Sequence, residues 1–285
     1  MSNIILVAET GSDIPKDIAE ELGIFLVPMH VTMGENTYDD GTFPVEDICE
    51  YYNNTNKVPK TSGSSPQDFI KIFDEIHSLY PNKQILHLAY SAVTTCSYQS
   101  AIIAAENRDY VTSYDTKNVS IGQAAIVIKT DRYLKENPKV TMEELLKEVD
   151  KIRDSCQMSF VPAELEYLRA GGRVSNAAFI GGKILRIHPA IEIENGYLVA
   201  KKKYRGKMES IVEKLIEDFD YIKNLDKKEL YLLWSIGLSQ EVRKIAEEKA
   251  KKIGFEIIKW MQTGCVITSH GGPGSFGIVG FSKEV

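Results

Sequence analysis

The feature that most constrains this chain is the regular alternation of short apolar runs with helical stretches through its first half. Ile4–Ala8 is an apolar run of strand length, and Glu9-Thr-Gly-Ser-Asp-Ile-Pro15 turns the chain after it. Lys16 to about Leu22 has helical character, with Ser12 or Asp13 available as a cap, Pro15 in the first turn and Gly23 as a stop. Ile24–Met33 runs apolar and alternating like a further strand, and Gly34-Glu-Asn opens a turn. Strand, helix and strand within roughly thirty residues is how a parallel α/β sheet begins.

The alternation continues. Helices are expected over Val45–Tyr52, Gln67–Leu79, Tyr98–Asn107 and Gly122–Leu134, with strands at Gln84–Tyr90 and Tyr110–Tyr114 and a polar loop at Thr55–Ser65. Thr141-Met-Glu-Glu is a capping-box signal for a helix running to Ser155. There the pattern breaks, which divides the chain into domains 1–157 and 158–285. The second domain reads as a strand at Ser159–Val161, a short helix at Ala163–Arg169 and a small-residue helix at Ala177–Leu185. A hairpin follows, Ala190–Glu194 and Tyr197–Lys203 joined by Asn195-Gly196. Then come a helix (Lys207–Phe219), a strand (Glu229–Ser235), a helix (Gln240–Ile253) and strands at Glu256–Trp260 and Cys265–Ser269. The glycine-rich tail from His270 to Phe281 is expected to end in an edge strand. The expected fold is α/β: an N-terminal domain with a parallel sheet flanked by helices, plus a C-terminal two-layer α+β domain with a mostly antiparallel sheet.

Composition narrows the function. A chain of 285 residues with 43% hydrophobic and 26% charged residues can bury a full core. A net charge of −6 argues against nucleic-acid binding by broad phosphate neutralisation. The N-terminus lacks a basic leader region, and no run approaches the ~18 apolar residues of a membrane span, so a cytoplasmic protein is expected. Cys49, Cys96, Cys156 and Cys265 form no paired motif, and the five histidines lack helical metal spacing; free thiols and no metal or other cofactor are expected.

Two hydroxyl-rich segments precede helices. Lys60-Thr61-Ser62-Gly63-Ser64-Ser65-Pro66 and Ser91-Ala92-Val-Thr-Thr-Cys-Ser97 both offer hydroxyls and free amides suited to an anion. Taken alone, the first is better explained by Ser64 or Ser65 acting as an ordinary helix cap. The second lies where a strand of a parallel sheet ends, the edge at which open α/β sheets bind ligands. Neither is a dinucleotide fingerprint or a phosphate loop. Arg173 in Gly171-Gly172-Arg173 and Arg205 in Arg205-Gly206 place rigid cations beside glycine, where another molecule can approach. The basic run Lys201–Lys207 reads either as a partner surface or as a solvated strand end.

In order along the chain, these segments resemble the DegV family of bacterial fatty-acid-binding proteins, the acyl-carrier subunits of fatty acid kinase. The resemblance rests on Thr61-Ser62-x-x-Ser65-Pro66, Ser91 through Tyr98-Gln99-Ser100-Ala101, and Asp115-Thr116-Lys117 with Ser120 and Gly122. It continues in Leu165-Glu-Tyr-Leu-x-x-Gly-Gly-Arg173-Val-Ser, Pro189-Ala-Ile, Arg205-Gly206 and His270-x-Gly-Pro-Gly. It implies a long-chain fatty acid lying between the two domains, with no cofactor besides that ligand. Its carboxylate would be held by Thr61, Ser62, Ser91, Ala92, His270 and Gly271. A separate kinase subunit would supply the chemistry, leaving no catalytic residue here, with Arg173 and Arg205 docking that partner or steadying phosphoryl charge. Transient membrane contact would serve lipid exchange. The chain departs from the family in Ala8-Glu9-Thr10, where Thr-Asp-Ser is usual, and in Ala92 and Cys96, which replace a serine and a glycine. A hydrolase using the Ser/Thr loops, or a sensor of another apolar acid, is the alternative; no Gly-x-Ser-x-Gly elbow supports the hydrolase.

Overall fold

The computed structural model describes residues 2–174 and 187–283. β1 (Ile4–Glu9) is buried throughout. α1 (Lys16–Leu22) ends at Gly23 in the left-handed conformation, but neither Ser12 nor Asp13 caps it. β2 (Phe25–Val27) pairs parallel to β1. Pro28 follows, and its missing amide hydrogen cannot continue a ladder. The chain therefore leaves the sheet, and Ile24–Met33 is two strands in two sheets rather than one. β3 (His30–Met33) pairs antiparallel with β4 (Asn36–Asp39) and, after α2 (Glu46–Thr55), with β5 (Lys60–Ser62). The stretch read as a polar loop thus contains a strand: Lys-Thr-Ser has weak strand propensity of its own, and pairing with β3 supplies the rest.

α3 (Pro66–Leu79) starts from a capping box, in which the Ser65 hydroxyl accepts the Asp68 amide at 3.3 Å and Asp68 accepts the Ser65 amide at 2.7 Å. β6 (Gln84–Ala89), α4 (Ser97–Ala104), β7 (Val111–Asp115), α5 (Ser120–Glu136) and α6 (Met142–Ser155) complete the first layer set. Its sheet has the order β2-β1-β6-β7, parallel throughout. Thr141 and Glu144 form the expected capping box of α6.

The second sheet draws on β8 (Cys156–Val161), then, after α7 (Leu165–Gly171), on β9 (Ile187–Glu194) and β10 (Tyr197–Arg205). The reading of Ala177–Leu185 as a helix lies outside the described residues. Asn195 and Gly196 have φ of 49° and 85°, the left-handed pair that a two-residue hairpin turn requires. α8 (Met208–Lys223), β11 (Glu229–Trp234), α9 (Gln240–Ile253), β12 (Ile257–Gln262), α10 (Cys265–Gly271) and β13 (Phe276–Phe281) follow. The order is β10-β9-β8-β13-β11-β12, antiparallel except between β11 and β12.

Two expectations for the tail are corrected. Cys265–Ser269 is helical, although Cys-Val-Ile-Thr-Ser suits a strand; Asp40 accepts the amides of Cys265 and Val266 at 3.0 and 3.3 Å, satisfying a helix start. β13 is interior, all six residues buried between β8 and β11. Its glycines mark crowding: a Cβ on Gly277 would lie 3.1 Å from the Phe160 Cβ.

α5 is buried along most of its length and contacts strands of both sheets. One apolar cluster accordingly runs from Ile4 and Leu6 through Ile121–Ile128 to Tyr231 and Phe281.

Candidate functional site

A cavity opens beyond the C-terminal end of β6, lined there by Tyr90 and, from the second sheet, by Phe160 and Leu233. About 880 Å3 of space unfilled by atoms lies among its lining residues, open solvent included. Its walls are largely apolar, with Met29 and Val119 from one side and Met158, Phe160, Leu198 and Leu233 from the other.

Most hydroxyls along this wall are already committed. Thr94 donates to the Ser91 carbonyl at 2.9 Å, Ser235 to the Gly272 carbonyl at 2.8 Å, and Ser275 to the Gly271 carbonyl at 2.7 Å. Ser120 donates to the Asp13 carboxylate. Available polar groups gather at one end. There Thr61 Oγ1 lies 2.7 Å from His270 Nε2, joining β5 to the end of α10 across 209 residues of sequence. Ser62, Gly271 and Arg173 line the same end. Burial, and then the Arg173 charge, lower the His270 pKa to about 4, so the imidazole is neutral at pH 7. A neutral ring beside a hydroxyl is a hydrogen-bonding seat, and among the described residues no carboxylate lines the cavity.

α10 is fixed from both ends. At its start, Asp13 accepts the Gly264 amide at 2.7 Å while Asp40 holds Cys265 and Val266. Burial pushes both carboxyls above the usual range, well above it for Asp13, which Asp40 also repels. At its end, Gly171 packs against the His270 ring with no room for a side chain. Gly63 likewise leaves no space for a Cβ against Thr95 and Ser97, and Ser97 Oγ accepts the Ser64 amide at 3.0 Å. The two hydroxyl segments are therefore packed on one another.

Thr61, Ser62, His270, Gly271 and Arg173 thus surround one cavity. Ser91, Ala92 and Arg205 are not in its wall. Ser91 is fully buried and donates to the Gly196 carbonyl at 2.8 Å, while the Ala92 amide donates to Asp115 at 3.2 Å. They tie the second loop to the hairpin tip and to the end of β7. Arg205 is exposed at the end of β10, opposite Ile187. Lys201 pairs with Glu194, and Lys202 with Asp218 at 2.6 Å. Glu9 is wholly buried, accepting the Tyr90 amide at 2.9 Å and Gln123 at 2.8 Å, with His87 at 3.3 Å. Burial alone would raise its carboxyl, but His87 and these hydrogen bonds hold it below the usual range.

Sequence reasoning missed Tyr90 and the Asp13–Asp40 pair. Tyr90 lines the cavity, and burial raises its phenol pKa, so it stays protonated. Its position directly after a strand was the available signal; nothing local linked Asp13 or Asp40 to residues more than 200 positions away.

Among the described residues, no cluster of side chains is arranged to hold a metal ion, and no helix is long and apolar enough to cross a membrane. Fold and cavity together define a three-sheet α/β protein with a largely apolar cavity that carries Thr61, Arg173 and His270 in its wall. A family model described as "Uncharacterised protein, DegV family" matches residues 3–283, and the chain belongs to the DegV family. The chain is 29% identical over 293 residues to a Thermotoga maritima protein named "Fatty acid-binding protein", covering 98% of this chain and 97% of the other. A Thermus thermophilus DegV family protein described by its fatty acid binding superposes with a TM-score of 0.88 at 27% identity, covering 98% and 99%. A Thermotoga maritima structure, described as revealing fatty acid binding function, gives a TM-score of 0.82 at 25% identity, covering 99% and 100%.

Proposed function

We propose that this protein binds one long-chain fatty acid in the cavity, between an N-terminal unit (1–157) and a C-terminal unit (158–285). It presents the carboxylate to a partner kinase for conversion to an acyl phosphate. The observation that carries the reading is the Thr61–His270 pair at the polar end of an otherwise apolar channel. A carboxylate needs donors: with His270 Nε2–H donating to Thr61 Oγ1, the Thr61 and Ser62 hydroxyls are left to donate to it, and the chain needs only apolar walls. Burial at about 0.8 kcal/mol per methylene gains a long chain on the order of 10 kcal/mol before binding costs. The fatty-acid binding of the Thermotoga and Thermus relatives supports the same reading.

Phosphoryl transfer would take place on the partner, which holds the nucleotide. A carboxylate oxygen of the lipid attacks the γ-phosphorus, the new acyl–phosphate bond forms, and the bond to the diphosphate leaving group breaks. This chain contributes no nucleophile and no general base. Its part is to orient the carboxylate and exclude water from it. Exposed Arg173 and Arg205 contribute positive charge for the partner's docking surface.

The experiment pairs retention with phosphorylation. His270→Ala or Thr61→Ala weakens uptake of palmitate, whereas Arg205→Ala retains palmitate but slows phosphorylation by the kinase. Loss of palmitate binding in Arg205→Ala contradicts this division of roles.

A further inference from the structure

A second hollow lies against the outer side of the polar seat. Thr61, Arg173 and His270 line both spaces, so the carboxylate end of the channel forms the inner wall of this outer hollow. Its remaining lining includes Lys57, Lys60 and the Tyr51 ring. Among the described residues three cations face it and no carboxylate does, in a chain with 40 acidic and 34 basic residues. Each cation is exposed. Many lysines elsewhere are paired, Lys135 with Asp131 and Lys223 with Glu192 among them. Among the described residues neither Lys57 nor Lys60 has an acidic partner, and Arg173 uses one guanidinium nitrogen, Nη1, on the Gly171 carbonyl at 2.7 Å. Pro59 between the two lysines is buried, and Lys60 stands on β5 in register with Thr32, which also lines the hollow.

We propose that Lys57, Lys60 and Arg173 form a phosphoryl subsite, holding the phosphate end of an acyl phosphate whose chain lies in the inner channel. The inference rests on the fatty-acid reading and extends it to the product. A fatty acid carries one negative charge, and a phosphate monoester about −1.5 to −2 at pH 7. A bare carboxylate is satisfied at Thr61 and Ser62; the added phosphoryl group projects past them into the basic hollow. No bond forms or breaks there. The subsite keeps the charged product seated until it is passed on, so discrimination between the two lipids belongs to the lysines and not to the seat.

The test compares palmitate with hexadecylphosphonate, a stable stand-in for the phosphorylated end, on the full chain. Lys57→Ala/Lys60→Ala is expected to weaken phosphonate binding about tenfold, the effect of two exposed charges, while palmitate changes less than about twofold. Lys139→Ala/Lys252→Ala, an equal charge change elsewhere, is expected to move neither. Rising salt narrows the difference between the two lipids in the unaltered chain and has little to narrow in the variant. If palmitate binds but the lysine substitutions leave the phosphonate-to-palmitate ratio unchanged, the subsite is overturned and the fatty-acid reading stands. If the unaltered chain binds neither lipid, both are overturned.

Discussion

Gly171 and His270 are packed so closely that a β-carbon on the glycine would press into the imidazole at Nδ1, with Cγ and Cε1 each 3.3 Å away. Gly171 does not have a positive φ, so the backbone itself would accept alanine. The restriction is spatial, and it keeps the His270 ring turned toward Thr61. Gly171→Ala is therefore expected to displace the ring and weaken palmitate binding by about tenfold or more, with a folded circular-dichroism spectrum retained. Unchanged affinity would show that the ring's placement does not govern binding.

His270 also gives the protein an acid-sensitive stability. Its folded pKa of about 4 lies below the ordinary imidazole value of 6.5, so the unfolded chain binds the proton more tightly. Stability is full above about pH 6.5 and falls as pH drops from there to about 4, by roughly 3 kcal/mol in all. Urea titrations between pH 7 and pH 4 measure the slope. His270→Gln is expected to flatten it.

The Asp13 carboxyl behaves in the opposite sense. With its pKa raised by burial, its favourable contribution is present at low pH and lost as pH rises. Asp13→Asn keeps an acceptor for the Gly264 amide without the charge. It is expected to match or exceed the parent in thermal stability at pH 7.5, with the advantage shrinking toward acid. Asp13→Ala leaves that amide unpaired and is expected to cost about 1–3 kcal/mol.

Ser91 separates a structural hydroxyl from a ligand-binding one. Its bond to the Gly196 carbonyl predicts that Ser91→Ala costs about 1 kcal/mol of stability and changes palmitate affinity less than about threefold. A tenfold loss of affinity without loss of stability would place Ser91 in the ligand's shell instead.

Much of this architecture is legible in the sequence because its signals are local. Thr141 with Glu144, Gly23 after Leu22, and Asn195-Gly196 each state a cap or turn within four residues, and each element forms where read. The misreadings share a physical cause. Cys265–Ser269 has strand propensity, and only Asp13 and Asp40, distant in sequence, supply acceptors for a helix start. Lys60–Ser62 becomes a strand because β3 is beside it. The tail's glycines suggest an exposed edge, whereas they are needed where β13 is most crowded. The site follows the same rule. Thr61 and His270 were legible through the family resemblance, but their contact, the buried commitment of Ser91 and the lining role of Tyr90 depend on long-range packing.

The most direct measurement is native mass spectrometry of the gently purified chain, repeated after incubation with palmitate or oleate. The fatty-acid reading predicts an increment of one fatty acid per chain, much reduced in Thr61→Ala and His270→Ala. A clean apo mass that takes up neither lipid would contradict it.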